Sequence, residues 1–281
     1  MFKKDGRGIL VAVGGGESGN ITKDSIKIIE KFIEYAGGPN KAKIVVMTVA
    51  TNDPANAGER YEELFSQINF KNYEMVNIAE RSESYDEAML KKVEAATGLY
   101  FTGGNQLHVT ALTGGTPLHQ LILERYNKGL VIGGTSAGAM MMSSTTLVSG
   151  ESDCAPRLGT VEVAPGMELL ENSMIDTHFS QRGRHGRLLS AVVHNPQTLG
   201  IGIDERTAMV VQGDKFEVVG EGAVTVVCAK HSMHTNLPYI KTDDTISAFG
   251  VNFHVLPEGY KYDLQKREPI PPNIKKMMNG K

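Results

Sequence analysis

The G-x-S-x-G run at residues 134–138 constrains the fold of this chain more than any other stretch. It follows a short apolar run at residues 130–132 and precedes Ala139 and three methionines, residues 140–142, which are predicted to form a buried helix. A brief apolar run of this kind is typical of a strand that is buried on both faces. The glycines two positions before and after Ser136 leave room for a crowded backbone. The sequence therefore predicts a sharp strand-to-helix turn with Ser136 at its tip.

Such a turn carries the parts of an acyl-transfer site. It would expose the Ser136 hydroxyl at the carboxyl end of the strand, with the N–H of Ala137 at a helix N-terminus, where backbone donors are free and the dipole favours an anion. A nucleophile beside such donors is what acyl transfer needs. The alternative is a glycine-rich turn in which Ser136 only caps a helix. The strand before it and the helix after it favour the first interpretation.

Apolar runs alternate with helical patterns ahead of this turn. Buried strands are predicted at residues 9–13, 44–48, 73–78 and 98–102. Thr22 is a predicted helix cap, and Thr116 with the following proline predicts the start of another helix. This alternation indicates an α/β fold, a parallel sheet with helices on both faces, in which ligands bind at the carboxyl ends of the strands.

Two further glycine-rich turns follow predicted strands. Residues 14–16 are glycines, which allow the backbone to approach another group closely. A dinucleotide-binding site is not indicated, because no acidic residue ends the next predicted strand. Residues 103–106 include Gly104 and Gln106. They predict either a plain turn or an oxyanion-binding N–H with an amide that faces a substrate.

Composition excludes several classes of protein. The 281 residues, of which 41% are hydrophobic, suit one domain over residues 1–281, with an extended tail from about residue 260. A net charge of −3 does not indicate a basic surface that would bind nucleic acid. No apolar run is long enough to span a membrane. Cys154 and Cys228 without a secretory signal predict free thiols and a cytoplasmic location. Without C-x-x-C or H-E-x-x-H, no metal or cofactor is predicted.

A serine nucleophile needs a base, and His178 is the best placed of the eight histidines. Asp176 and His178 alternate on a predicted strand and would share one face. The base in turn needs a carboxylate that orients it, and Asp204 and Glu205 both end the apolar run at residues 199–203. Successive strand residues face opposite ways, so only one of the two can easily reach His178.

Arg182, Arg184 and Arg187 follow the predicted base. Their forked donors suit carboxylates, and such ligands would relieve the unfavourable placing of cations at a helix N-terminus. The alternative is a solvated basic turn.

Residues 150–172 are predicted to be an irregular loop over the site. After Thr207 the pattern changes to short strands joined by hairpins.

The chain resembles the cyanophycinase branch of peptidase family S51, relatives of the aspartyl dipeptidases. The resemblance rests on GGTSAGAMMMS, DTHFSQRGRHGRLL and LGIGIDERTA, with VGGGE near the start and FTGGNQLHVTALTGGTPL. It covers most of the chain to about residue 210. It implies a homodimer and a three-layer α/β/α sandwich around a mainly parallel sheet, flavodoxin-like or class I glutamine amidotransferase-like, with added strands in the C-terminal part.

The resemblance also implies roles for individual residues. Ser136 would be the nucleophile, His178 the base and Glu205 the third member of a triad, with the N–H groups of Gly104 and Ala137 as the oxyanion hole. The substrate-binding residues that it implies are Gln106, Asp176, Thr177, Arg182, Arg184 and Arg187. The family pattern has glutamine at position 177, so Thr177 is a departure at one expected contact.

Members of this branch cut cyanophycin, a polyaspartate whose side chains each carry arginine through an isopeptide bond, and release β-Asp-Arg dipeptides. We therefore expect a serine exopeptidase that acts through an acyl-enzyme on cyanophycin or a related aspartate-based peptide. The arginines would hold substrate carboxylates, and Asp176 would receive a basic group. Two rivals are an aspartyl or isoaspartyl dipeptidase with a smaller pocket and a binding protein that has lost catalysis.

Overall fold

The computed structural model describes residues 6–19 and 21–272, which form two main sheets and seven α-helices. The helices are α1 Lys23–Tyr35, α2 Pro54–Gln67, α3 Glu87–Ala95, α4 Gln106–Thr113, α5 Pro117–Asn127, α6 Ala137–Met140 and α7 His185–His194. The strands of the N-terminal half are β1 Ile9–Val13, β2 Ile44–Met47, β3 Tyr73–Val76, β4 Gly98–Phe101 and β5 Val131–Thr135. The later strands are β6 Thr145–Gly150, β7 Val161–Pro165, β8 Ser173–Thr177, β9 Leu199–Ile203, β10 Thr207–Gln212, β11 Lys215–Gly220, β12 Ala223–Cys228, β13 His234–Thr235, β14 Ala248–Phe249, β15 Asn252–Pro257, β16 Lys261–Asp263 and β17 Glu268–Ile270.

The larger sheet has the strand order β17-β16-β11-β10-β1-β5-β4-β2-β3. Its strands from β1 to β3 are parallel, and the four from β10 to β17 extend it in antiparallel fashion. The predicted mainly parallel sheet with added C-terminal strands is confirmed. The carboxyl ends of β1, β4 and β5 therefore lie side by side at one edge, where the three glycine-rich turns begin.

Helices cover both faces of the parallel part, which makes three layers. On one face, Val11 packs in a cluster with Ile29 of α1 and residues of α2. On the other face, Leu10 packs in a cluster with Val93 of α3 and Ile122 of α5. Every residue of β1, β2, β4 and β5 is buried, because strands covered on both faces have no solvent side. The flavodoxin-like sandwich is confirmed.

The predicted helix starts are also found. The hydroxyl of Thr22 accepts a hydrogen bond from the N–H of Ser25 at 3.2 Å, which caps α1. Thr116 caps α5 through the N–H of His119, with the proline in the first turn. These caps satisfy backbone donors that a helix N-terminus leaves without an internal partner.

The second sheet, β15-β12-β9-β8, carries two strand ends of functional interest. In it β8 and β9 are parallel, while β12 and β15 are antiparallel to their neighbours. Because β8 and β9 are parallel, the segments that follow them emerge at the same edge. This places His178 and Glu205 close to one another.

Three segments differ from the expectations. Residues 150–172 are not wholly irregular, because β7 pairs with β6 in a hairpin. The helix after Ser136 ends at Met140, since the following carbonyls are taken by backbone N–H groups of a later loop. The tail expected from about residue 260 contains β16 and β17, and Tyr262 is fully buried against the ring of Phe216 at 5.5 Å. Residues 273–281 lie outside the described part of the chain.

Within the described ranges, no helix combines the length and the apolar character that crossing a membrane would require.

A substitution in the central strand β5 tests the packing of the core. We expect Ile132→Ala to lower the free energy of unfolding by about 2–5 kcal/mol, because loss of the fully buried side chain would leave a cavity between the sheet and the layer that contains α3 and α5. Chemical denaturation followed by circular dichroism measures this loss. Val163→Ala is the matched control, since Val163 is 52% exposed, and an equal loss in both variants would contradict the prediction.

Candidate active site

Ser136 stands on a strained turn directly after β5. Its φ of 51° and ψ of −116° are unusual for a residue with a side chain. The N–H of Ser136 donates to the carbonyl of Val13 at 3.0 Å, which ties the turn to β1. A Cβ at Gly138 would overlap the carbonyl of Phe101, and one at Gly134 would overlap the carbonyl of Gly138. The glycine spacing therefore has the steric cause inferred from the sequence.

His178 lies just beyond β8 and turns toward this serine. Its φ is 47°, and its N–H donates to the carbonyl of Gly14 at 2.8 Å. The imidazole Nε2 lies 3.0 Å from the Oγ of Ser136. The predicted shared face with Asp176 is wrong, because the left-handed backbone at His178 ends the strand alternation. Asp176 instead points into a buried cluster of its own.

Glu205 completes the chain of hydrogen bonds. Its Oε1 lies 2.6 Å from Nδ1 of His178, and its N–H donates to the side-chain oxygen of Gln181 at 3.1 Å. Asp204 is turned the other way, where its carboxylate accepts from the N–H groups of Ser180 at 3.0 Å and Ala223 at 3.1 Å. Strand alternation alone left both carboxylates open, and the one that contacts His178 is Glu205, which the resemblance implies.

The glycine loop after β1 packs directly on this histidine. Gly15 has a φ of 107°, and a Cβ there would overlap the imidazole ring of His178. The carbonyl of Gly15 accepts the N–H of Arg206 at 2.7 Å. The glycine-rich sequence predicted that the backbone here approaches another group closely. That group is His178, together with the segment that carries Glu205.

A pocket of about 430 Å³ opens in front of Ser136 and His178. Its lining comes from the ends of β1, β2, β4, β5 and β8 and the segments that follow them, and from the first turns of α2. The residues that line it are Gly15, Gly16, Glu17, Ser18, Thr51, Asp53, Asn56, Ala57, Arg60, Tyr61, Thr102, Gly103, Gly104, Thr135, Ser136 and His178. Gly104 thus faces the pocket, and Ala137 is the buried first residue of α6, directly after the serine. Sequence reasoning did not single out Glu17, Asp53 or Arg60.

The surroundings of His178 lower its pKa below the ordinary value of 6.5. Burial is the largest cause, and the nearby positive charges of Arg182 and Arg184 act in the same direction. The hydrogen bond and the charge of Glu205 oppose this effect. The imidazole is therefore neutral at pH 7, with Nδ1–H donating to Glu205 and Nε2 able to accept the proton of Ser136.

Comparison with protein families matches residues 10–219 of the chain to Peptidase family S51. The chain belongs to peptidase family S51. It is accordingly a serine peptidase, and the resemblance drawn from its motifs is confirmed.

Curated relatives of this S51 peptidase match it over nearly its whole length. It is 34% identical over 266 residues to the cyanophycinase of Geminocystis herdmanii, covering 94% of this chain and 96% of that one. It is 33% identical over 264 residues to the cyanophycinase of Trichormus variabilis, covering 93% and 87%.

Two solved structures share its fold. The crystal structure of a peptidase from an acI-B1 actinobacterium has a TM-score of 0.64 and 23% identity, and the match covers 92% of this chain and 97% of the other. A putative peptidase E from Listeria monocytogenes has a TM-score of 0.53 and 16% identity, with coverage of 77% and 100%.

Several residues expected to contact substrate bind one another in this S51 peptidase. Asp176 is fully buried, and its carboxylate accepts two hydrogen bonds from Arg187, that of Nε at 2.6 Å. Arg184 donates to Asp176 at 3.1 Å and to the carbonyl of Thr177 at 2.6 Å. Thr177 is also fully buried. None of these four residues lines the pocket, so substrate contact does not follow from their placement.

Gln106 and Arg182 have opposite surroundings. The buried amide of Gln106 donates to the carbonyls of Leu147 and Val148, so it joins α4 to β6 and lies outside the pocket lining. Arg182 is exposed beside His178, and within the described chain no hydrogen bond or ion pair holds its guanidinium. Arg182 is therefore the one of the three predicted arginines that can still bind a carboxylate.

The cause of the His178 shift can be tested directly. Arg182→Ala removes a positive charge that disfavours the imidazolium, so we expect the pKa of His178 to rise toward 6.5. NMR titration of the histidine ring signals measures the midpoint. Arg157→Ala, which removes another exposed arginine, should leave it in place. An unchanged or lower midpoint in Arg182→Ala would contradict this account.

The buried cluster predicts a difference in stability. Arg187→Ala leaves the carboxylate of Asp176 without its bidentate partner, which we expect to cost about 3–5 kcal/mol of unfolding free energy. Arg182→Ala, at an exposed position, should change it by no more than about 0.5 kcal/mol. Urea denaturation of both variants measures the two values. Equal losses of unfolding free energy in the two variants would show that the cluster of Asp176, Arg184 and Arg187 does not stabilise the fold.

Proposed function

We propose that Ser136, His178 and Glu205 form a catalytic triad that hydrolyses an aspartate-based peptide, with cyanophycin as the substrate. The observation that carries the proposal is the continuous chain of hydrogen bonds from Glu205 through His178 to Ser136, the last two of which line a pocket. The curated relatives that match this chain over more than nine-tenths of its length are named cyanophycinases, which supports the substrate.

The proposed reaction begins with attack of the Ser136 oxygen on the scissile carbonyl. Nε2 of His178 takes the hydroxyl proton, while Glu205 keeps the ring oriented and stabilises the imidazolium. The N–H groups of Gly104 and Ala137 would hold the oxyanion, since one faces the pocket and the other opens α6.

Breakdown of this intermediate releases the amine and leaves an acyl-enzyme. His178 returns its proton to the leaving nitrogen as the carbon–nitrogen bond breaks. Water then attacks the ester with the same histidine as base, which frees the carboxylate product and restores Ser136. The hydrogen bonds that join Ser136, His178 and Glu205 support these proton transfers, and the lowered pKa of His178 keeps its base form available at neutral pH.

Charge at the site favours an aspartate-based chain. The exposed guanidinium of Arg182, next to His178, is suited to a substrate carboxylate. A polyaspartate derivative offers such groups at each residue. The proposal also includes a homodimer and a cytoplasmic location, for which sedimentation and cell fractionation are the direct measurements.

The triad predicts large losses of turnover in folded variants. Ser136→Ala should lower kcat by about 10⁴–10⁶, and His178→Ala should lower it nearly as much. Glu205→Gln keeps the size of the side chain but changes the tautomer that it favours, so we expect a loss of about 10³–10⁴. Asp204→Asn is the matched control, because its carboxylate bonds only the framework.

The measurement is incubation of purified protein with cyanophycin and with short β-aspartyl dipeptides, with the products read by mass spectrometry. Release of β-Asp-Arg from cyanophycin supports the proposal. Cleavage of the dipeptides alone would favour a dipeptidase, and cleavage of neither would favour a binding protein. Full activity in Ser136→Ala or His178→Ala would rule out the proposed mechanism.

A further inference from the structure

The pocket has a set of charged residues that the proposed triad does not use. The segment after β1 contributes Glu17, and the segment at and after the start of α2 contributes Asp53 and Arg60. All three line the pocket that contains Ser136. Charged groups in a pocket favour ligand groups of opposite charge.

Glu17 is a fully buried carboxylate held by hydroxyl groups. It accepts hydrogen bonds from Tyr61 at 2.6 Å, from Thr135 at 2.7 Å and from Tyr100 at 3.4 Å. Burial first, and the charge of Glu17 second, raise the pKa of both tyrosines, so they stay protonated and donate.

This negative charge lies close to the reacting serine and has no cationic partner in the described part of the chain. Thr135, which Glu17 holds, is the residue before Ser136. Charges in poorly hydrated surroundings interact over longer distances than they do in water. The wall of the pocket therefore attracts cations, although Glu17 itself is covered by the side chains that donate to it.

Asp53 stands where a ligand can reach it. Its carboxylate caps α2 by accepting the N–H of Asn56 at 3.2 Å, yet the residue is exposed and lines the pocket. Arg60 is exposed as well, and its Nε donates to the side-chain oxygen of Asn56 at 3.1 Å. Neither residue forms an ion pair within the described residues, so both charges are available to a ligand.

We infer that this lining is the subsite for the basic side chain of the substrate, with Asp53 as the residue that contacts its cation. Glu17 supplies negative charge from behind the wall, and Arg60 binds a carboxylate of the same group. An arginine joined through its α-amine to an aspartate side chain carries both groups, a guanidinium and a free carboxylate. The inference rests on the proposed function and assigns to Asp53 the role that Asp176, already bound by two arginines, is not free to take.

The test compares two synthetic aspartate oligomers that differ only in the charge of the residue joined to each aspartate side chain. One carries arginine on each aspartate, and the other carries citrulline, whose neutral ureido group has nearly the size of guanidinium. We expect the wild-type protein to prefer the arginine oligomer in kcat/KM by about 10–150-fold, the range of one hydrogen bond to a charged group. Asp53→Asn should remove most of this preference by slowing the arginine oligomer, while citrulline cleavage stays within about twofold.

Asp53→Asn removes the charge of this side chain but keeps a residue that can cap α2. Asparagine caps helices as well as aspartate does, so α2 keeps its start. If Asp53→Asn is destabilised, Asp53→Ser retains a capping oxygen without the charge and serves in its place. Glu62→Gln, which neutralises an exposed carboxylate of α2 outside the pocket lining, should leave both rates unchanged. Arg60→Ala should slow both oligomers equally, because both keep the carboxylate.

The outcomes separate this inference from the proposed function. If the wild-type protein cleaves neither oligomer, the proposed function is wrong. If it cleaves both at equal rates, or if Asp53→Asn slows both to the same extent, the function stands and the subsite assignment is overturned. A loss of selectivity in Glu62→Gln equal to that in Asp53→Asn would also overturn it, because the effect would then be one of general charge.

Discussion

The strained backbone at Ser136 ties the site to the central strands of the larger sheet. A side chain held at a φ of 51° costs about 1–3 kcal/mol, so the surrounding structure has to impose it. The hydrogen bond to Val13 and the close packing of Gly138 against Phe101 do so. These contacts join the ends of β1, β4 and β5, and they make the position of the serine a property of the whole parallel sheet.

A second strained residue brings the smaller sheet to the same place. His178 also has a positive φ, and Gly14 holds its backbone from the larger sheet. Gly15 then leaves room for the imidazole, which no residue with a Cβ could do. The pair Ser136 and His178 is thus built where two sheets meet, and the hydrogen bonds of the site depend on the contact between the sheets.

Charged side chains near the site divide into those that stabilise the protein and those that can bind. Asp176, Arg184 and Arg187 satisfy one another in a buried cluster that holds the segment following β8. A group whose hydrogen-bonding capacity is used internally has little left for a ligand. Asp53 and Arg60, by contrast, lie exposed in the pocket lining. Burial and partners, more than residue type, set the two kinds apart.

The parallel sheet, the helix caps at Thr22 and Thr116 and the turn at Ser136 were predictable from the residues alone, because periodicity, capping residues and glycine spacing are local signals. It also carried the resemblance to family S51. The resemblance implied Glu205, but its contact with His178 is visible only in the fold. The fold was also needed to show that Asp176 lies in a buried ion cluster and that Glu17 and Asp53 share a pocket with the serine. Those facts depend on where strands of two sheets end relative to one another, and no pattern along the chain encodes a distance between residues that lie far apart in sequence.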